Sequence, residues 1–128
     1  MNGNSEDCFN ENVLHTLVGE NSLLDTLLTK ILICRKETET TVSLEFKMRK
    51  KSNYEFTVLE FLGVEEYCFY SSQNYGNHIE RYKLFLNQNG RYYISLDPFN
   101  ESLIENDQDQ DFVVSKSLIL KVFKGLKA

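Results

Sequence analysis

Histidine is the side chain most often used for acid–base chemistry near neutral pH, and this chain has two, His15 and His78. A Ser-His-Asp or Cys-His arrangement would have to use one of them. His15 falls off the apolar stripe of an N-terminal helix, where it would be solvated. The glycines are scattered singly, so no nucleophile elbow, phosphate-binding loop or dinucleotide fingerprint is present. We therefore predict no catalytic residues, no cofactor and no metal.

One group of residues leaves an alternative open. His78, Glu80 and Tyr82 alternate along a stretch with strand character, and Asp97 ends the next such stretch. These four side chains could form a small-molecule-binding or enzymatic site if the fold gathered them in a concave, partly apolar pocket. A surface histidine beside a carboxylate is common, so the pattern favours a structural role.

Residues 100–110 are acidic and amide-rich, which is typical of an exposed loop. Asp107, Asp109 and Asp111 alternate as the first ligands of a calcium loop do. The pattern then fails, because Phe112 stands where such a loop needs glycine and Leu118 where it needs glutamate. A solvated loop, or an acidic patch that receives a basic protein, fits better. The candidate partner-binding residues are Glu65, Glu66, Glu101, Glu105, Asp107, Asp109 and Asp111.

Cys8, Cys34 and Cys68 are odd in number and include no CxxC pair, which predicts neither a disulfide framework nor a zinc site. Free thiols are expected. Cys34 and Cys68 stand in apolar, strand-like runs, where we expect them to be buried as small hydrophobic side chains.

The composition limits the fold and the partners. A chain of 128 residues with 41% hydrophobic side chains suffices for one core, so we expect a single domain over residues 1–128. The net charge of −5 repels nucleic acid and anionic lipid. No run approaches the ~20 apolar residues of a membrane span, and residues 1–12 do not resemble a signal peptide. We expect a cytoplasmic protein that binds neither nucleic acid nor membrane.

The elements that must position these residues are mainly strands. An amphipathic helix is predicted over residues 9–18 and ended by Gly19, with residues 1–8 flexible. Its apolar face comprises Phe9, Val13, Leu14, Leu17 and Val18. The stretch around Leu23 to Leu28 is ambiguous between a helical turn and the start of a strand.

From Thr29 onward the pattern is β. Residues 40–49 alternate between apolar and polar, and residues 28–36 should pair with them through Glu37-Thr38-Glu39. Residues 56–62 are apolar on both parities, which predicts a central strand, and Gly63 interrupts it. Residues 71–77 form a loop by composition. Further strands are expected over residues 65–71, 79–86 and 92–96, and one long or two short strands over residues 111–123. The fold class is mainly β (α+β), an antiparallel sheet of about six to eight strands with a short N-terminal helix.

One hairpin allows a prediction of register. A three-residue loop, Gln88 to Gly90, with Gly90 left-handed, places one apolar set on a single face. In this register Leu84 lies opposite Ile94, Leu86 opposite Tyr92 and Tyr82 opposite Leu96. The other face carries an Arg81 to Asp97 pair and a Lys83 to Ser95 pair and should be open to solvent.

The order of these segments resembles small immunity proteins of bacterial polymorphic-toxin systems. The resemblance spans residues 12–123 and includes the runs Leu14-His15-Thr16-Leu17-Val18-Gly19, Val58-Leu59-Glu60-Phe61-Leu62-Gly63-Val64, Tyr92-Tyr93-Ile94-Ser95-Leu96-Asp97-Pro98 and Asp111-Phe112-Val113-Val114-Ser115-Lys116-Ser117-Leu118. It implies a non-enzymatic protein that binds and neutralises a cognate toxin domain. It carries over no catalytic residue.

Overall fold

The computed structural model describes residues 5–69 and 77–124. Its strands and helices, in chain order, are β1 (Ser5–Phe9), α1 (Glu11–Thr16), a 3₁₀ turn (Gly19–Asn21), β2 (Leu27–Arg35), β3 (Thr40–Lys47), β4 (Phe56–Cys68), β5 (Lys83–Leu86), β6 (Tyr92–Asp97) and β7 (Gln110–Phe123). The strands form one seven-stranded antiparallel sheet, so the predicted mainly β fold is confirmed. None of the helices in the described part of the chain is long and apolar enough to cross a membrane.

The sheet is built around its two longest strands, β4 and β7. The order is β2-β3-β4-β7-β6-β5, and β1 pairs with the end of β7. The predicted central position of residues 56–62 is confirmed, since β4 lies between β3 and β7. The two outer strands approach each other at one corner, because His78, which precedes β5, forms a bridge with Leu27 of β2. The sheet is therefore strongly curved.

The main core lies on the inner face of this sheet. The alternation predicted for β3 is confirmed, with Val42, Leu44 and Phe46 fully buried. Val13 and Leu17 of the α1 segment pack on the same core. Burial of this kind contributes about 25 cal/mol per Å² of apolar surface and is the main stabilising term.

The N-terminal segment differs from the sequence prediction. The helix spans only Glu11–Thr16, and Phe9 and Val18, which were placed on its apolar face, are exposed. Phe9 instead ends β1, so residues 5–8 belong to a strand rather than to a flexible tail; residues 1–4 lie outside the described residues. Gly19 has a positive φ of 59° but opens the 3₁₀ turn. A six-residue helix cannot reach both ends of the predicted stripe.

Gly63 also behaves differently, because it lies inside β4 and does not end it. Its φ is +62°, and a Cβ there would lie 3.2 Å from Cβ of Lys116. Before Gly63 the inward side chains of β4 include Phe61, and after it they are Val64 and Tyr67. The pairing of β4 with β7 shifts its register just after this glycine, between Val64 and Glu66. Glu66 is exposed.

Two other segments complete the comparison with the prediction. Residues 111–123 form one long strand, and the strand expected over residues 79–86 begins only at Lys83. The predicted loop over residues 71–77 lies outside the described residues except for Asn77, whose carbonyl accepts a hydrogen bond from the amide of Leu28.

Candidate protein-binding site

A second, smaller hydrophobic cluster lies on the outer face of the sheet. Phe85, Tyr93 and Val114 are buried there, and Phe112 packs against them. They are neighbours in adjacent strands, since Phe85 pairs with Tyr93 and Tyr93 with Val114. The ring centroids of Phe85 and Tyr93 lie 5.2 Å apart, and those of Tyr93 and Phe112 lie 6.0 Å apart. We call these four residues the outer cluster.

An ion pair is buried beside the outer cluster. Nζ of Lys83 lies 2.8 Å from Oδ2 of Asp109, and both side chains are completely inaccessible to solvent. The same Nζ donates to the carbonyl of Ile104 at 2.6 Å. The prediction that Lys83 faces solvent opposite Ser95 is therefore correct in register and wrong in burial. Removing two charges from water is unfavourable, and only close pairing with further hydrogen bonds offsets it.

Asp109 supplies those further hydrogen bonds. Its carboxylate accepts from the hydroxyl of Tyr93 at 2.7 Å and from the backbone amides of Phe99 at 2.9 Å and Asn106 at 3.0 Å. Phe99 and Asn106 stand at opposite ends of residues 98–109, which we call the outer loop. One carboxylate thus ties both ends of this loop to Lys83 and Tyr93.

The protonation states in this network are fixed by its surroundings. Burial opposes ionisation of Asp109, but hydrogen bonds from Lys83 and Tyr93 and from the two amides outweigh it, and the pKa of the carboxyl lies below its ordinary value. Burial, followed by the hydrogen bond to Asp109 and the negative charge of Asp109, Glu105 and Glu66, raises the pKa of Tyr93. Tyr93 therefore remains a neutral donor and Asp109 an ionised acceptor at neutral pH.

The solvent side of the outer loop is apolar. Phe99 is 54% exposed, and Leu103 and Ile104 are each 63% exposed. A cleft of about 340 Å³ lies between Leu103 and Ile104 of the loop and the β5–β6 turn. Large apolar side chains on a loop with a fixed base form a surface that can be covered by another protein.

Carboxylates surround this apolar surface. Glu101, Glu105 and Asp107 are exposed on the outer loop, and Glu105 accepts a hydrogen bond from Nδ2 of Asn87 at 2.6 Å. Glu66 is exposed on the outer face, opposite Val114. Glu65 lies beside it, with Oε1 at 3.0 Å from Nε of Arg91. Five of the seven residues proposed from the sequence are thus exposed or half-exposed near one surface.

The other two residues are not available to a partner. Asp109 and Asp111 are buried, with 5% and 4% of their surfaces exposed. The sequence predicted that these alternating aspartates are solvated. That prediction is wrong for Asp109, because its carboxylate is the buried counter-ion of Lys83. Within residues 5–69 and 77–124, no group of three or more His, Cys, Asp or Glu side chains could hold a metal ion.

The alternative site is dispersed. His78 and Glu80 are exposed, and His78 lies 3.4 Å from the carboxylate of Asp25. The hydroxyl of Tyr82 accepts a hydrogen bond from the amide of Leu23. Among the described residues no hydrogen bond or ion pair joins His78, Glu80, Tyr82 and Asp97, and none of these four lines the cleft beside the outer loop. Arg81, expected to pair with Asp97, donates to the carbonyl of Pro98 at 2.9 Å.

Sequence reasoning missed Lys83, Tyr93 and the apolar residues of the outer loop. A signal for them exists: Phe85 stands on the opposite parity to Leu84 and Leu86, so β5 carries apolar side chains on both faces, as the central strand β4 does. That pattern indicates cover on both faces. Leu103-Ile104 within an acidic loop is a second such signal.

The cysteines also differ from expectation. All three carry free thiols, but Cys34 and Cys68 are exposed. Cys34 lies on the outermost strand and Cys68 at the end of β4, where no described segment covers them.

Comparison with known proteins finds no family model, no curated protein and no solved structure that matches this chain, so its own geometry carries the functional argument.

Proposed function

We propose that this chain is a non-enzymatic binding protein that covers a basic surface of a protein toxin domain and thereby neutralises it, as the resemblance to immunity proteins implies. The outer loop, the β5–β6 turn and the flanking carboxylates form the docking surface. The proposal predicts no turnover and places the interaction in the cytoplasm, where free thiols persist.

The observation that carries this proposal is the apolar exterior of a loop whose base is rigid. Phe99, Leu103 and Ile104 expose more than half of their surfaces, while Asp109 fixes the loop from inside. A pre-organised loop loses little conformational entropy on binding, so more of the apolar burial appears as affinity. The chemistry matches the apolar centre and polar rim of protein interfaces.

The carboxylates support a basic partner. Glu66, Glu101, Glu105 and Asp107 are exposed around the apolar centre, and the chain has a net charge of −5. Charges at the rim of an interface act mainly on the association rate and on partner selection.

The first experiment tests the apolar centre. The protein encoded beside this gene, produced as an inactive variant, is titrated with the purified chain by calorimetry. The double variant Leu103→Ser, Ile104→Ser should weaken binding by about tenfold or more, since buried apolar anchors often contribute above 1 kcal/mol each. Val18→Ser is the control, because Val18 is equally exposed but lies away from the loop. An equal loss of affinity in the double variant and in Val18→Ser would contradict the docking surface. Measured turnover by the chain would contradict its non-enzymatic function.

The second experiment tests the rim. Glu101→Gln, Glu105→Gln and Asp107→Asn together should lower the association rate several-fold at low salt, and the deficit should shrink once the Debye length is about 10 Å at 0.1 M salt. Glu20→Gln, Glu37→Gln and Glu39→Gln make the same change of net charge at exposed residues outside the loop. If the two triple variants associate at equal rates, net charge alone steers the encounter and the acidic rim has no role.

A further inference from the structure

The cleft beside the outer loop has an apolar wall and a polar end. Its volume is about 340 Å³, and Leu103 and Ile104 of the loop and Leu86 of β5 form the apolar wall. All three side chains are exposed, so the cleft is open to solvent. Glu105 and the turn residues Asn87 to Asn89 line the polar end. Small-molecule pockets measure roughly 300–1,000 Å³, and a cleft near the lower limit accommodates one long side chain.

The carboxylate of Glu105 is held in place although the residue is exposed. Its Oε2 accepts a hydrogen bond from Nδ2 of Asn87 at 2.6 Å. Oδ1 of Asn87 in turn accepts from the backbone amides of Asn89 and Arg91, both at 2.9 Å. The side chain that positions Glu105 is therefore itself fixed by the turn.

The backbone on both sides of Glu105 is held as well. The carbonyl of Ile104 accepts a hydrogen bond from Nζ of Lys83, and the amide of Asn106 donates to the carboxylate of Asp109. Both contacts belong to the buried network beneath the loop. Glu105 thus presents a negative charge at a defined point of the cleft.

No basic side chain within the described residues forms an ion pair with Glu105. Arg91, which follows the turn, pairs with Glu65. Lys83, beneath the loop, pairs with Asp109. The charge of Glu105 is therefore left for a cation from outside the chain.

The position of Glu105 restricts what can fill the cleft. A partner that packs on Leu103 and Ile104 also covers Glu105, because all three residues line one cleft. Removing an ionised carboxylate from water is unfavourable unless a cation with hydrogen-bond donors replaces the water. A purely apolar side chain would leave the carboxylate unpaired. The occupant must therefore combine an apolar stem with a positive charge at its end.

We infer that the cleft binds an arginine side chain of the protein partner, an inference that rests on the docking function proposed above. The methylene stem lies against Leu103 and Ile104, and the guanidinium donates to the carboxylate of Glu105. A carboxylate has about four acceptor positions and Asn87 uses one, so Glu105 can still accept a bidentate pair. Arginine fits better than lysine, because its planar guanidinium is more weakly hydrated and has further donors for the amide oxygen of Gln88.

NMR titration of the isotopically labelled chain with N-acetyl-arginine amide tests the cleft without the partner. We expect saturable shifts in the millimolar range, confined to the amides of residues 86–91 and 103–106. N-acetyl-citrulline amide has nearly the same shape without the charge, and it should bind several-fold more weakly, as should N-acetyl-lysine amide. Equal affinity for the citrulline probe, or shifts spread over exposed carboxylates elsewhere in the chain, would overturn the inference.

A matched pair of variants tests the role of Glu105. Glu105→Gln removes the charge and keeps an oxygen that can accept from Asn87, and it should weaken binding of the arginine probe by about tenfold. Glu20→Gln makes the same change of charge at an exposed residue outside the docking surface and should bind as the parent does. The spectra without probe verify that both variants fold. If Glu105→Gln binds the arginine probe as tightly as the parent, the inference is wrong.

Binding to the partner tests the same contact in the complex. Each exposed arginine of the inactive partner is replaced by alanine, and its affinity is measured for the parent chain and for Glu105→Gln. One replacement should weaken binding to the parent by about tenfold and binding to Glu105→Gln much less, as expected of residues in contact. If the partner binds and none of its arginines is coupled to Glu105, the inference fails and the docking function stands. If the partner does not bind, the docking function fails, and the probe titration alone decides whether the cleft binds arginine.

Discussion

The two ends of the sheet differ in whether their apolar side chains are covered. At the β5 end a loop folds over the outer face and buries Phe85 and Tyr93, and a buried Lys83–Asp109 pair holds the loop in place. At the β2 end no described segment covers Ile31 to Ile33.

This difference in cover shows which interactions allow an acidic loop to pack on a sheet face. A loop made of carboxylates and amides brings little apolar surface inward, so its attachment depends on hydrogen bonds to a buried charge. Among the described residues no buried ion pair lies at the β2 end, and β2 is held by its pairing with β3.

The largest expected effect follows from removing the internal charge of the β5 end. Asp109→Leu should lower the free energy of unfolding by about 3–5 kcal/mol, because it leaves the Lys83 ammonium buried without its counter-ion. Lys83→Met should lower the free energy of unfolding by less than Asp109→Leu does, since Asp109 keeps Tyr93 and two backbone amides as hydrogen-bond donors. Urea unfolding measures both. The double variant should be more stable than Asp109→Leu alone; simple additivity would show that the two charges do not interact.

A smaller effect is expected at the turn that completes the same end. Gly90 has a φ of +77°, and no atom lies within 4 Å of a Cβ built there, so the penalty of a side chain arises from the backbone alone. Gly90→Val should lower the free energy of unfolding by about 1–3 kcal/mol. Gly90→Asn should lower the free energy of unfolding by less, since asparagine tolerates the left-handed region. Thermal unfolding of the two variants measures the difference. Equal losses of stability in Gly90→Val and Gly90→Asn would argue against backbone strain as the cause.

Acid should weaken the β5 end selectively. The folded pKa of Asp109 lies below the unfolded value near 3.9, so the folded state binds fewer protons; the stabilisation is present above that pH and is lost as pH falls through the folded pKa. The difference in unfolding free energy between the protein and Asp109→Asn should therefore narrow below about pH 4. Chemical unfolding at several pH values measures it. A gap that widens in acid would reverse the assigned direction.

The smallest effects are expected at two exposed cysteines, Cys34 on β2 and Cys68 at the end of β4. Cys34→Ser and Cys68→Ser should each change the free energy of unfolding by no more than about 0.5 kcal/mol, as exposed substitutions do. In the native protein these two thiols should react with a thiol reagent faster than Cys8, which is half-buried near Thr16. Single-cysteine variants assign the rates. A large loss of stability on replacing Cys34 would mean that this edge is covered.

Local patterns alone determined much of the sheet. Alternation along residues 40–49 predicted β3 and its buried face, and the polar Glu37-Thr38-Glu39 connection predicted the β2–β3 hairpin. The need to keep one apolar set on one face predicted the β5–β6 register, including Leu84 opposite Ile94 and the positive φ of Gly90. These features depend on residues that are close in the sequence, so the sequence contains the information within a single hairpin.

Burial at both ends was decided only by tertiary structure. Lys83 is buried because Asp109, 26 residues later, reaches it from a folded loop, and no local pattern shows that encounter. Cys34 is exposed because β2 stands last in the strand order, although its composition is that of a buried strand. The alternating period of a strand shows which side chains share a face, whereas what covers that face depends on segments distant in the sequence.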